Sequence, residues 1–213
     1  MAAAASGDPR FDTGRLCLDL VATAAGRPRG PGEPVERLDG PERLGAWLIR
    51  SGLVPPGTAL AADHDWLDRF RELRELLRRL VRAQLDGSPA DRAGVRALGP
   101  DLDRLNAFAA PAPSAIRAVP GRDGTLVRAL AGGPGCAALL SDVARDAIRL
   151  LTDPVARSRL RECEGDSCSR VYLDTSRGRR RRWCSSEICG NRERVARHRR
   201  RSTALNAAPP GQS

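Results

Sequence analysis

Over most of the chain the apolar positions fall at helical spacing. From His64 to Asp86 the stripe Trp66, Leu67, Phe70, Leu73, Leu77, Leu80 and Val81 recurs every three or four residues. It predicts a long amphipathic helix over about 64–86, capped by Asp63 or Asp65 and stopped by Gly87. Leu44, Trp47 and Leu48 repeat the spacing behind Pro41, which suits a first helical position, and Gly52 closes that segment. Ser88-Pro89 opens a short helix, and Pro100 opens another through Leu102, Leu105 and Phe108. Leu139, Leu140, Val143, Ala147, Ile148 and Leu151 predict a helix over about 136–151, and Asp153-Pro154 starts a last one leading into Cys163. Between Arg15 and Ala25 the pattern reads as a buried helix, although the alternation of Leu16, Leu18 and Leu20 also permits a strand.

Two stretches break the helical period. Residues 26–40 hold four glycines and three prolines and read as a loop. Residues 114–130 run Ala115-Ile116-Arg117-Ala118-Val119, then Pro-Gly-Arg-Asp-Gly, then Thr125 to Leu130, which predicts a β-hairpin. The expected class is therefore mainly α (α+β), a helical N-terminal domain with one hairpin. The expected divisions are a disordered arm at 1–10, a domain at 11–157, a small C-terminal module at 158–205 and a disordered tail at 206–213.

Composition adds exclusions. No run approaches the ~18 apolar residues that a membrane span needs, and the opening residues do not read as a secretory signal. A cytoplasmic protein without a membrane partner is expected. Only two histidines, His64 and His198, are present, which leaves little for general-base chemistry near neutral pH. An enzyme is not expected.

Charge divides the chain more sharply than composition does. All 36 basic residues are arginine. Residues 157–201 carry 15 of them against six acids, a net +9, whereas residues 1–156 are nearly balanced with 21 arginines and 20 acids. Replacement of lysine by arginine in a GC-rich genome explains the residue type but not its concentration at one end, which points to a polyanionic partner for the tail.

The same tail holds four of the six cysteines, as Cys163-x4-Cys168, fifteen residues, then Cys184-x4-Cys189. Two close pairs joined by a loop suit a tetrahedral zinc site built from four cysteines, and in a reducing compartment such a cluster reads as metal before disulfide. A redox dithiol pair, an iron–sulfur cluster or core cysteines are the alternatives, the last fitting poorly beside flanking Glu, Gly, Asp, Ser and Arg. His198 would be a replacement ligand from across an arginine-rich helix. Few apolar residues are available to the module: Val171, Tyr172, Leu173, Trp183, Ile188 and Val195. A segment this small rarely folds without a staple, and Zn2+ would make its folding metal-dependent. Val171–Asp174 reads as a strand, Gly178 as a turn, Arg182–Ser185 as the returning strand, and Ser185 or Ser186 as the cap of a helix, giving a zinc-stapled, ββα-like unit. Four cysteine ligands leave no open coordination position for catalysis.

Arg181-Arg182-Trp183-Cys184-Ser185 followed by Cys189-Gly190-Asn191-Arg192 resembles the CGNR zinc finger. Leu16-Cys17-Leu18-Asp19-Leu20-Val21-Ala22-Thr23 and Leu44-Gly45-Ala46-Trp47-Leu48 are similar to the ABATE domain that precedes it; together the two resemblances span roughly residues 11–201. Many relatives have asparagine where this chain has Ala22. The resemblance implies a stress-induced transcription regulator, with a DNA-binding finger behind a sensory or regulatory domain; it supplies no ligand, and a small-molecule or protein effector at the N-terminal domain is a separate expectation.

Candidate nucleic-acid contacts are Arg177, Arg179, Arg180, Arg181, Arg182, Arg192, Arg197, Arg199, Arg200 and Arg201 for phosphates, since guanidinium donates two parallel hydrogen bonds. Arg179–Arg182 precede a helix N-terminus, where cations oppose the dipole, so their placement speaks for binding rather than local stability. Arg192, Asn191 or Arg197 are candidates for base readout. Tyr172 and Trp183 either stack on bases, which would favour RNA or single strands, or pack against the zinc knuckle. DNA is placed ahead of RNA, and a protein-interaction or redox-switch module is the second reading. Asp19 and Thr23 are either pocket residues of the first domain or structural hydrogen-bonding groups.

Overall fold

A computed structural model describes residues 10–24, 35–86, 98–166 and 168–206. The helix expected from Ser88-Pro89, the first part of the 26–40 loop and all but the last residue of the 1–10 arm lie outside the described residues, as does the tail beyond Asn206.

The centre of the helical part is α1 (Leu16–Val21), whose Cys17, Leu18, Asp19, Leu20 and Val21 are all buried. A short segment apolar on nearly every side is stable only when surrounded, and α1 packs against α3 (His64–Asp86), α5 (Cys136–Thr152) and a strand of the C-terminal module. The helix reading therefore holds over Leu16–Val21, while Ala24 forms an isolated antiparallel bridge with Glu36 and Ala25 lies outside the described residues. Between α1 and α3 in sequence lies α2 (Pro41–Arg50), with Pro at its start and Leu44, Trp47 and Leu48 inward. It ends where Gly52 takes φ +78°, a conformation that costs glycine little. Trp47 lies between Phe11 and Phe70, with ring centroids 6.3 and 6.2 Å away. At the start of α3, Asp63 accepts from the Trp66 N–H at 2.9 Å. Leu67, Phe70, Leu73, Leu76, Leu77, Leu80 and Val81 form its buried face.

Next come α4 (Gly99–Ala109), packed on α5, and the hairpin β1 (Ile116–Pro120) with β2 (Leu126–Leu130), paired antiparallel with Ile116 opposite Leu130 and Val119 opposite Val127. In α5 the fully buried residue of the last turn is Leu150, with Ile148 and Leu151 only partly covered.

The expected last helix into Cys163 is a single turn, α6 (Pro154–Arg157), capped by Asp153 accepting from the Val155 N–H at 2.8 Å. A strand follows instead: β3 (Leu160–Glu162) pairs antiparallel with β4 (Val171–Leu173), Leu160 opposite Leu173 and Glu162 opposite Val171. The expected partner of 171–174 was Arg182–Ser185. The backbone there is committed elsewhere, because the Arg182 carbonyl accepts from the Glu164 N–H and the Cys184 N–H points at Cys163 Sγ. A π-helical turn (Ser186–Gly190) then leads into α7 (Asn191–Asn206).

Strand alternation gives β4 two neighbours. Val171 and Leu173, with Leu160, belong to the core of the helical part, whereas Tyr172 packs with Cys163, Cys184 and Cys189. Ile188 and Val195, counted among the module's few core residues, are 42% and 50% exposed. The small core is thus cysteine, Tyr172 and part of Trp183. Among the described residues no helix is long and apolar enough to cross a membrane.

Candidate metal centre and nucleic-acid interface

Two tight turns bring the cysteines together. Cys163 directly follows β3 and donates its N–H to the Arg170 carbonyl at 2.8 Å, and Cys168 closes a turn onto the Gly165 carbonyl at 2.9 Å. On the other side the Ser185 hydroxyl accepts from the Ile188 N–H at 3.2 Å, while the Cys189 and Gly190 N–H groups both reach the Ser185 carbonyl. This is the wide turn that swings Cys189 back toward Cys184. The Cys184 N–H donates to Cys163 Sγ at 3.3 Å.

The four Sγ atoms lie within 4.8 Å of one another, with Cys168–Cys184 at 3.7 Å and Cys184–Cys189 at 3.5 Å. Disulfide sulfurs would be about 2.05 Å apart, and all six cysteines are free. Four sulfurs at about 2.3 Å from one ion stand about 3.8 Å apart at tetrahedral angles, so donor type and spacing both fit Zn2+. Charge makes the same point. With no cation the sulfurs share charge unevenly: hydrogen bonds from Cys168 and Cys184 hold Cys163 well below the ordinary thiol range, while the Cys163 sulfur pushes Cys168 up to about 11 and Cys184 up as well. Four adjacent thiolates require a positive ion among them.

Around this centre the arginine-rich loop separates into two populations. Arg181 is drawn inward: its guanidinium sits 4.7 Å over the Tyr172 ring and donates to the Trp183 carbonyl at 2.8 Å and to the Cys184 carbonyl. Its N–H reaches the buried Asp174 at 3.1 Å, and its carbonyl accepts from the Tyr172 hydroxyl. Burial pushes that phenol up to about 12, so it remains a donor. Arg182 bonds Glu164 at 2.6 Å and lies over Trp183. Tyr172 therefore packs inside the knuckle and offers no face for stacking.

The other population points outward. Arg177, Arg179, Arg180 and Arg197 are exposed, and their side chains make no hydrogen bond or ion pair among the described residues. Arg179 holds φ +50°, rare for a residue with a Cβ. Along α7, Arg200 pairs with Asp166 at 3.2 Å and Arg194 bonds the Asn191 side-chain oxygen, while the exposed Arg192 and Arg199 have partners within the chain. Arg201 belongs to the same helix.

Residues 14–154 match the ABATE family, described as "Putative stress-induced transcription regulator". That match covers about two thirds of the chain. The chain belongs to the ABATE family. Residues 159–202 match the CGNR zinc finger. No curated protein matches the chain. The cysteine cluster is thus the metal site of a CGNR finger, and the finger's first strand begins one residue inside that match.

In the ABATE domain Asp19 and Thr23 are each held by hydrogen bonds to different partners. Asp19 accepts from the Thr13 hydroxyl at 2.8 Å and from the Thr13 N–H at 3.3 Å, and burial raises its carboxyl to about 6. Thr23 donates to the Leu20 carbonyl at 2.7 Å and accepts from Arg74, which is also held by Glu36 at 2.6 and 2.7 Å. A cavity of about 40 Å³ at the junction with the finger is walled by residues that include Val21, Ala22, Val81, Arg82 and Val171. Sequence reasoning missed Arg74 and Glu36, a buried arginine on the apolar face of α3 and its partner from the loop before α2. The one available signal was an arginine interrupting the Leu73–Leu77 stripe.

Proposed function

We propose that the protein is a non-catalytic transcriptional regulator whose CGNR finger binds duplex DNA. In this reading Cys163, Cys168, Cys184 and Cys189 hold one structural Zn2+, which closes the knuckle and supplies the folding free energy that its few apolar residues lack. The observation that carries the proposal is the unpaired row Arg177, Arg179 and Arg180, with Arg197 on α7, exposed on a metal-fixed scaffold. Surface arginines without carboxylate partners are free to release counterions from a phosphate backbone. Arg182, Arg192, Arg199 and Arg200 would add phosphate contacts by exchanging partners within the chain for phosphate oxygens, Arg201 would add another, and Arg192, Asn191 or Arg197 would read bases. Arg181 is proposed as a brace of the knuckle rather than a phosphate ligand.

The division of labour is proposed as 11–157 for regulation, receiving a small-molecule or protein effector, and 158–205 for nucleic acid, in the cytoplasm at the nucleoid. The test is duplex-DNA binding by the zinc-loaded chain across a salt series. With about six phosphate contacts, log affinity should fall against log salt with a slope near −5. Salt-independent binding, or none to DNA or RNA with zinc loaded, would leave the protein-interaction module as the better account. Preference for single strands would favour RNA.

A further inference from the structure

Arg74, Arg78 and Arg82 stand four residues apart on α3 and share one side of the helix. Like charges at that spacing repel one another, and each guanidinium is held by a carboxylate. Glu36 holds Arg74 at 2.7 Å, Glu75 holds Arg78 at 2.8 Å, and Glu162 of the finger holds Arg82 at 2.8 Å. Arg82 also donates to the Ser169 carbonyl at 3.3 Å. The next residue, Arg170, is 8% exposed and pairs with Asp12 at 3.2 Å. Asp12 is shared with Arg10, and Glu75 with Arg74, so guanidiniums outnumber carboxylates here.

Three of these arginines, Arg78, Arg82 and Arg170, line the cavity of about 40 Å³ at the junction of the helical domain and the finger. No carboxylate stands among its described wall residues. Each guanidinium is thus fixed by an acid outside the cavity, and with five N–H donors each keeps some unused. Ser169 belongs to the same wall, and its hydroxyl oxygen is buried without a hydrogen-bond partner among the described residues. A buried hydroxyl left unpaired is costly. Val21, Val81 and Val171 supply an apolar side, against which a charged contact is screened less than in open water. The room suffices for about three waters or for the head group of one small anion.

We propose that this cavity binds a small oxyanion, a carboxylate or a phosphate, that bridges the helical domain and the finger. Its oxygens take N–H donors from Arg78 and Arg82 on one side and from Arg170 on the other, and the Ser169 hydroxyl finds its acceptor. Guanidinium suits such a ligand because its fork meets two oxygens at once. The proposal gives the effector of the ABATE domain a chemical class, and its regulatory meaning rests on that effector reading. The binding site itself does not, and it is tested without DNA.

The test is isothermal titration of sodium acetate, and separately of sodium phosphate, into the full-length zinc-loaded chain, with ionic strength held constant by chloride. At least one of the two anions should bind with saturation, and neutral acetamide should not. The tighter of the two identifies the ligand as carboxylate or phosphate. Ser169→Ala in the finger and Arg78→Gln on α3 should each weaken that binding about tenfold or more. Arg117→Gln, an exposed arginine on the hairpin, should bind as wild type does. Absence of binding by both anions overturns the proposal, and so does acetamide binding as tightly as acetate. Wild-type affinity in either Ser169→Ala or Arg78→Gln overturns the bridge, and an equal loss in Arg117→Gln reduces the binding to a general surface effect and overturns the site. If Arg78→Gln does not fold, Arg78→Lys, which keeps the charge but not the fork, takes its place. None of these outcomes bears on whether the finger binds DNA, so the two readings fail separately.

Discussion

The backbone N–H of Leu173, in the second strand of the finger, donates to the carbonyl of Thr13 at 2.7 Å. Gly14, at φ +86°, follows with its Cα so close to Leu173 that an added Cβ would stand 3.3 Å from the Leu173 Cβ. The segment before α1 thus lies along β4, whose Val171 and Leu173 enter the helical core while Tyr172 enters the cysteine core. One three-residue strand serves both.

Substitutions along that strand should separate the two cores. Leu173→Ala removes a buried side chain from the helical core and should cost about 2–5 kcal/mol of global stability with zinc still bound. Tyr172→Ala should instead speed zinc loss, because it removes the platform under Arg181. Chemical denaturation and metal analysis on the same two proteins check this.

Replacing any one of Cys163, Cys168, Cys184 or Cys189 by Ser should abolish stoichiometric zinc, and Cys17→Ser should not, because Cys17 lies in the helical core. Metal analysis of purified protein reads the outcome, and an iron–sulfur absorption spectrum in the wild type would sink the zinc assignment.

The two arginine populations should respond differently. Arg179→Ala with Arg180→Ala should weaken DNA binding at all sequences and flatten the salt slope by up to about two, with zinc retained. Arg181→Ala should reduce zinc retention as well as binding. Arg179→Gly is a sharper variant: it relieves a left-handed conformation that costs a residue with a Cβ roughly 1–2 kcal/mol, so binding should fall while stability holds or rises.

Asp19 should leave a pH signature. Its carboxyl is raised from the ordinary 3.8 to about 6, chiefly by burial, with Thr13 and Arg170 opposing and Asp12 assisting. The folded state therefore holds the proton more tightly than the unfolded state, and ionising Asp19 lowers stability as pH rises from about 4 to about 6. Asp19→Asn, which keeps an acceptor for Thr13, should flatten that part of the profile and stabilise the protein above pH 6 by up to about 3 kcal/mol. Thermal melts of both proteins across pH 4–8 test it; parallel profiles would show that Asp19 carries none of the dependence.

The helices were legible in the chain because each rests on a local period. The Trp66–Val81 stripe, Pro41 before Leu44, and the Ile116–Leu130 alternation around Pro-Gly-Arg-Asp-Gly all lie where those patterns place them. The cysteine cluster was legible for a related reason: spacing within each pair, and a loop long enough to bring the pairs together, are properties of sequence. What the sequence left open required distant partners. It could not tell that β4 pairs with Leu160–Glu162 rather than with Arg182–Ser185, because both flanks offer three suitable residues and only the commitment of 182–184 to the knuckle excludes one. Nor could it distinguish Arg181 from Arg180. In a run of four arginines the charges are equivalent, and only the position of the Tyr172 ring and the Trp183 and Cys184 carbonyls turns one inward. The pairing of Asp12, ahead of α1, with Arg170 of the finger at 3.2 Å was equally invisible, since proximity between segments so far apart in the chain is set by how the cores pack and leaves no trace in local periodicity.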